Sequence, residues 1–238
     1  MIWPVEKARQ RVAIVKTWDL FPVCQKDPLH IRAIWGKRVP NPLPTKNITF
    51  TEAAYRNIAD RKQAFENEAL RLNWQGYNIY TCFNRIRPDF AGDEHNGLAV
   101  KDRDIIARRY ILIDFDRDAT SQPATDDEID AVFAVAHRLE HDFFFDKGHD
   151  PITVCSGNGV HIYLPVNLPN DKAGKAMCQK VLKALATKYD TEAVKVDTSV
   201  YNAARITKVP GTIARKGIEV LDPNDLHDRY YRMASVVK

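Results

Sequence analysis

Residues 109–116 read RYILIDFD. A β-branched, apolar run bounded by charge at both ends is the pattern of a β-strand. Side chains alternate along a strand, so Ile111, Ile113 and Phe115 point one way while Leu112, Asp114 and Asp116 point the other. The first set belongs in a core. The two carboxylates then emerge together on the opposite face, roughly 7 Å apart by strand rise, which suits divalent cations held between them.

Downstream the punctuation is regular. Thr125 with Glu128 three residues later forms a capping box, and Ile129, Val132, Phe133, Ala136 and Leu139 follow at helical spacing, so a helix is expected to about residue 142. Two short apolar runs, Ile152 to Ser156 and Val160 to Pro165, flank Gly157, Asn158 and Gly159, a hairpin signal. A second helix is expected from about Asp171 to Tyr189, and GIEVL at 217–221 looks like a last strand. The succession strand, helix, strand, strand, helix, strand is the split βαβ, ferredoxin-like or RRM-like unit. Its antiparallel sheet carries both helices on one face and leaves the other open.

Upstream the pattern is weaker. Thr49 with Glu52 suggests a capping box opening a helix to about Asn73, Tyr77 to Phe83 reads as a strand, and Pro40, Pro42 and Pro44 mark a loop. The expected architecture is α+β: an N-terminal α/β subdomain over 1–105 packed against a catalytic palm over 106–238.

The 238 residues are 45% hydrophobic and 28% charged, the balance of a globular protein with a real core, which excludes disordered and collagen-like classes. No apolar run approaches the roughly 18 residues of a membrane span, and MIWPVEKARQRV has no signal-peptide core. A cytoplasmic protein with no membrane partner is expected. Cys24, Cys82, Cys155 and Cys178 are too dispersed for a zinc ribbon or a disulfide framework. The net charge of +4 divides into +7 over 1–109, −5 over 110–190 and +2 over 191–238. An acidic middle between basic flanks can hold cations beside a surface for a polyanion.

If Asn158 and Gly159 form a two-residue turn, Ser156 lies across from His161, and Cys155, Ile162 and Leu164 face the core. Ser156, His161 and Tyr163 then share the open face with Asp114 and Asp116. A three-residue loop would break that register.

The ordered series ILIDFD, SGNGVH at 156–161 and VDTSVYNAARITKVPGT at 196–212 resembles the three motifs of the archaeo-eukaryotic primase superfamily. It is most similar to the primase-polymerase domains of plasmid, phage and CRISPR-associated proteins, over roughly residues 75–220. The resemblance implies a catalytic core that performs template-dependent nucleotidyl transfer from (d)NTPs to a 3′-hydroxyl, with de novo primer synthesis. It implies two Mg²⁺ or Mn²⁺ ions on Asp114, Asp116 and Asp197. It implies nucleotide contacts from Ser156, His161 and Asn84; by their own chemistry, the backbone N–H groups of Gly157, Asn158 and Gly159 and the side chains of Arg205, Asn202 and Lys208 are further candidates for phosphate. A single-stranded DNA template or primer-template is the implied partner, with a helicase or CRISPR adaptation proteins as further candidates.

Hard oxygen ligands suit those ions and not zinc. Arg205 offers a planar fork for phosphate, and Arg85, Arg87, Lys101, Arg103, Arg108 and Arg109 could track a template. Competing readings are an end-joining repair polymerase of the same superfamily, a non-catalytic single-strand-binding module, and a glycosyltransferase. The last rests on D-x-D alone and leaves SGNGVH and the third motif unexplained. A base-stacking module calls for aromatics where the central strand shows acids.

Overall fold

The computed structural model describes residues 4–36, 42–55, 57–90, 97–117, 121–144, 151–221 and 228–237. In chain order the elements are α1 (Pro4–Leu20), β1 (Leu29–Trp35), β2 (Lys46–Phe50), α2 (Ile58–Gln75), β3 (Tyr77–Thr81), β4 (Arg85–Ile86), β5 (Ile105–Arg117), α3 (Asp126–Phe143), β6 (Ile152–Cys155), β7 (Gly159–Pro169), α4 (Lys172–Tyr189), β8 (Val194–Val196), β9 (Thr207–Lys208), β10 (Ile213–Ala214), β11 (Arg232–Met233) and β12 (Ser235–Val236). The expected loop residue Pro40 lies outside the described residues; Pro42 and Pro44 are in irregular chain.

The palm sheet has the order β12-β6-β7-β5-β4, with β8 pairing the far end of β5. Within it, β8-β5-β7-β6 is the order of a split βαβ unit. Ile111, Ile113 and Phe115 face the helices, where Val132, Leu139, Leu182 and Leu185 complete the core. α3 begins on the expected box: Thr125 accepts from the Glu128 N–H at 3.2 Å and Glu128 accepts from the Thr125 N–H at 3.0 Å. Asp171 caps α4 by accepting from the Gly174 N–H at 2.7 Å.

The fourth palm strand is β8 and not GIEVL. Val194 and Val196 are buried against the core, whereas Ile218 and Leu221 are more than 60% exposed and Val220 makes a single bridge to Arg229. A β-branched run becomes a strand only where a neighbour covers it.

The N-terminal sheet has the order β2-β1-β3-β9, packed on α1 and α2. The Thr49 and Glu52 signal is overridden, because Ile48 and Phe50 pair with β1 and enter the core. The helix starts instead at α2, where Asn57 accepts from the Asp60 N–H at 2.8 Å. The expected division at 105/106 is crossed in both directions. β4 pairs with β5 in the palm, and β9 returns from the third motif to pair with β3. Phe21, at the end of α1, stacks on Phe83 at 3.8 Å and meets Tyr163 edge-on at 4.7 Å, joining the halves. Among the described residues, no helix is long and apolar enough to cross a membrane.

Candidate active site

Two sheet faces meet in a cleft. On the palm side, Asp114 pairs with His161 across β5 and β7, and Asp116 with Gly159. On the N-terminal side, register places Arg32, Tyr80 and Lys208 in one row across β1, β3 and β9. Between them lies a cavity of about 320 Å³, lined by Asp114, Asp116, Ser156, Asn158, His161 and Lys208, with Asn78, Tyr80, Arg215 and Lys216 completing the wall. The first two motifs therefore meet here with Lys208 of the third, while Asp197 does not line this cavity.

The hairpin reaches this arrangement by another register. Cys155 pairs with Val160, and the Ser156 N–H donates to the Gly159 carbonyl at 2.9 Å. The two-residue turn is thus Gly157-Asn158, one position earlier than expected, and Val154, not Ser156, opposes His161. Gly157 has φ +94, a conformation that glycine adopts freely, and this is the first central residue of the turn. The Ser156 hydroxyl closes the hairpin, accepting from the Gly159 N–H at 3.1 Å. A Cβ on Gly159 would sit 2.4 Å from the Phe115 carbonyl, so only glycine lets the hairpin close beside Asp116.

Each acid has a basic neighbour. His161 lies 3.5 Å from Asp114, Lys216 3.4 Å from Asp116 and Arg205 3.3 Å from Asp197. Asp197 follows β8, and its N–H donates to the Asp114 carbonyl at 2.9 Å. Burial pushes the Asp114 carboxyl above its ordinary range; His161 opposes this and the charges of Asp116 and Asp197 add to it. Burial also drives the Lys208 amine well below the ordinary lysine value, with Arg215 pushing the same way.

A buried carboxylate at Asp114 with the acids Asp116 and Asp197 nearby offers oxygen ligands of the kind that fit a hard divalent cation. Among the described residues, no three His, Cys, Asp or Glu side chains form a closed metal cage.

Other expected residues lie elsewhere. Asn84 is consumed structurally: its carbonyl accepts from the Arg109 and Tyr110 N–H groups and its amide donates to Ala203. Asn202 and Arg205 border a neighbouring cavity of about 340 Å³ with His30, Arg32 and Lys101. Arg85 and Arg109 clamp Asp27 at 2.9 Å, and Arg108 is buried against the Tyr201 carbonyl, so these three hold the fold together. Arg87 pairs with Asp89 and Asp104, while Lys101 and Arg103 are exposed. Asn78, Tyr80, Arg215 and Lys216 escaped the sequence reading. Tyr77 to Phe83 was legible as a strand, but which of its residues meet the palm depends on long-range pairing.

No protein-family model matches the chain, and no curated protein matches it in sequence. Among solved structures, it is similar to the AEP domain of the cyanophage S-2L primase-polymerase, at 16% identity and TM-score 0.51, over 96% of this chain and 89% of that one. It is also similar to the polymerase domain of Mycobacterium tuberculosis Ligase D in complex with DNA, at 16% identity and TM-score 0.46, over 88% and 77%. The α+β architecture matches the fold of the primase-polymerase domain.

Proposed function

We propose that this chain is a nucleotidyltransferase, a DNA primase-polymerase that joins (d)NTPs to a 3′-hydroxyl on a single-stranded template and also starts strands de novo. The observation that carries the reading is the convergence of Asp114, Asp116, Ser156 and His161 with Lys208 and Arg215 in one cleft. The likeness of fold to a phage primase-polymerase domain supports it, as do the three motifs in their order. The third motif favours the plasmid, phage and CRISPR-associated type.

Displacement of pyrophosphate crowds negative charge on the attacking and leaving oxygens. Two Mg²⁺ or Mn²⁺ ions on Asp114 and Asp116, with Asp197 beside them, would acidify the attacking hydroxyl and neutralise the phosphates. The chain's own groups do the rest. His161, Lys208, Arg215 and Lys216 line the cavity opposite and beside the acids and would draw the triphosphate into line. Arg205 donates through one nitrogen to the Asp197 carboxylate at 3.3 Å and so orients it. The Gly157-Asn158 turn brings backbone to the cavity wall, where a bulkier hairpin could not close.

The test is a gel assay with Mg²⁺ or Mn²⁺, comparing labelled primer-template with an unprimed strand, each with deoxyribo- or ribonucleotides. Products in both formats, absent in Asp114→Ala, are expected. A folded protein that binds single strands yet makes no product would reduce the reading to a binding module.

A further inference from the structure

Lys208 is 3% exposed, yet its amine makes no ion pair among the described residues. Nζ has two acceptors, the Asn78 carbonyl oxygen at 3.0 Å and the Ile213 carbonyl at 3.1 Å. A neutral amine has two N–H bonds to give, and both are used here. An ammonium has a third, and the cavity is the space Lys208 borders.

Asn78 is locked in this orientation. Its oxygen also accepts from the Arg215 N–H at 2.7 Å, and its amide donates to the Arg215 carbonyl at 2.7 Å. The titratable and charged groups facing the site are Tyr80 from β3, Asp114 and Asp116 from β5, His161 from β7, and Arg215 and Lys216 after β10. Burial acts most on Lys208, the like charge of Arg215 adds to it, and the Tyr80 ring lies 5.3 Å away. Asp114 has its close neighbour in His161, at 3.5 Å, and Asp116 in Lys216, at 3.4 Å.

We infer that Lys208 stands as a neutral amine in the empty cleft and takes up one proton from solvent when a polyphosphate enters, so that nucleotide binding is linked to proton uptake at Nζ. This rests on the nucleotide-cleft reading and adds a protonation step to it. Burial without a counter-charge keeps the amine neutral. An incoming polyphosphate supplies the missing opposite charge and an acceptor for the third N–H. No bond to phosphorus forms; the proton moves from water to nitrogen.

Calorimetric titration of dATP into the intact protein, with EDTA and at pH 8.5, reads the uptake directly as the dependence of heat on buffer ionisation enthalpy. At that pH the single secondary ionisation of its terminal phosphate, about 6, is complete. About one proton is expected per triphosphate bound by wild type, and none by Lys208→Met. Triphosphate that fails to bind wild type, or binds without uptake, overturns the inference, as does uptake that survives Lys208→Met. The wild-type value decides even if the variant misfolds. Primer extension run in parallel separates the two readings: uptake without extension removes the polymerase and leaves the proton linkage standing.

Discussion

At Asp114 the needs of folding and of chemistry diverge, because burial and two neighbouring acids oppose its charge. Asp114→Asn keeps the shape and removes the repulsion, so its stability should stay within about 1 kcal/mol of wild type or rise. Primer extension should fall by roughly a thousandfold, since the proposed cation site loses a ligand. Unfolding of this variant, seen by circular dichroism, would contradict a metal role. Lys208→Met carries the same logic. The Asn78 oxygen keeps the Arg215 N–H, and the Ile213 carbonyl keeps the Asn73 amide at 3.0 Å, so no acceptor is orphaned. A lysine with a depressed folded pKa loses stability as pH falls below its unfolded value, because only the unfolded chain then gains the proton. The variant should therefore melt higher than wild type at pH 7, and the gap should close above about pH 10.4. Equal melting at pH 7 would place the amine charged and solvated.

His30 gives a second pH signature away from the acids. Burial holds its pKa down to about 4, while the Leu98 backbone pulls upward and Arg32 adds to the depression. The unfolded ring titrates near about 6.5. Stability should thus fall as pH drops from about 6.5 to 4, by on the order of 3 kcal/mol, and stay flat above that window. Denaturant melts of wild type and His30→Leu across that range would show it; parallel curves would refute the assignment.

Among elements, the hairpin between β6 and β7 is the most constrained. Gly159→Ala would press a methyl on the Phe115 carbonyl in a central strand, and neither backbone can yield cheaply. A loss of about 1–3 kcal/mol is expected, with weaker nucleotide binding than in a Ser156→Ala control. An unchanged melting temperature would mean that the hairpin is looser than its register implies. The same hairpin shows what sequence can and cannot carry. Alternation in ILIDFD and HIYL gives the face of each residue, since period two survives any shift by whole pairs, and so Asp114, Asp116 and His161 share the face expected of them. The turn slipped by one residue because Gly157-Asn158 and Asn158-Gly159 are both good turn pairs, and the choice rests on where β7 pairs with β5. The Thr49 signal hides β2 and starts α2 early, because local capping carries no information about Ile48 and Phe50 pairing with β1 and reaching the core. Asn84, and Arg85 with Arg109, looked like ligands for want of knowing that backbone and Asp27 already held them.

For the molecule as a whole, the cleft exists because neither half is complete alone. β9 leaves the third motif to edge the N-terminal sheet and brings Lys208 to Asn78. Asn73 in α2 accepts from the Ile213 N–H at 2.9 Å, and Arg109 reaches across to Asp27 and the Pro22 carbonyl. Phe21 fills the join with its ring, 2% exposed between Phe83 and Tyr163. Coupling through so many shared contacts predicts one cooperative unfolding transition, with near-UV and far-UV signals coincident. Phe21→Ala opens a cavity at the junction and should lower stability by about 3–5 kcal/mol while the transition stays single. Because the cleft walls belong to different halves, the variant should also weaken triphosphate binding, although Phe21 does not line the cavity. Two separate transitions in wild type would mean that the halves fold independently. The cleft would then be a docking surface between domains, and binding would respond to Phe21→Ala no more than to a core substitution of equal cost within one half, such as Phe65→Ala.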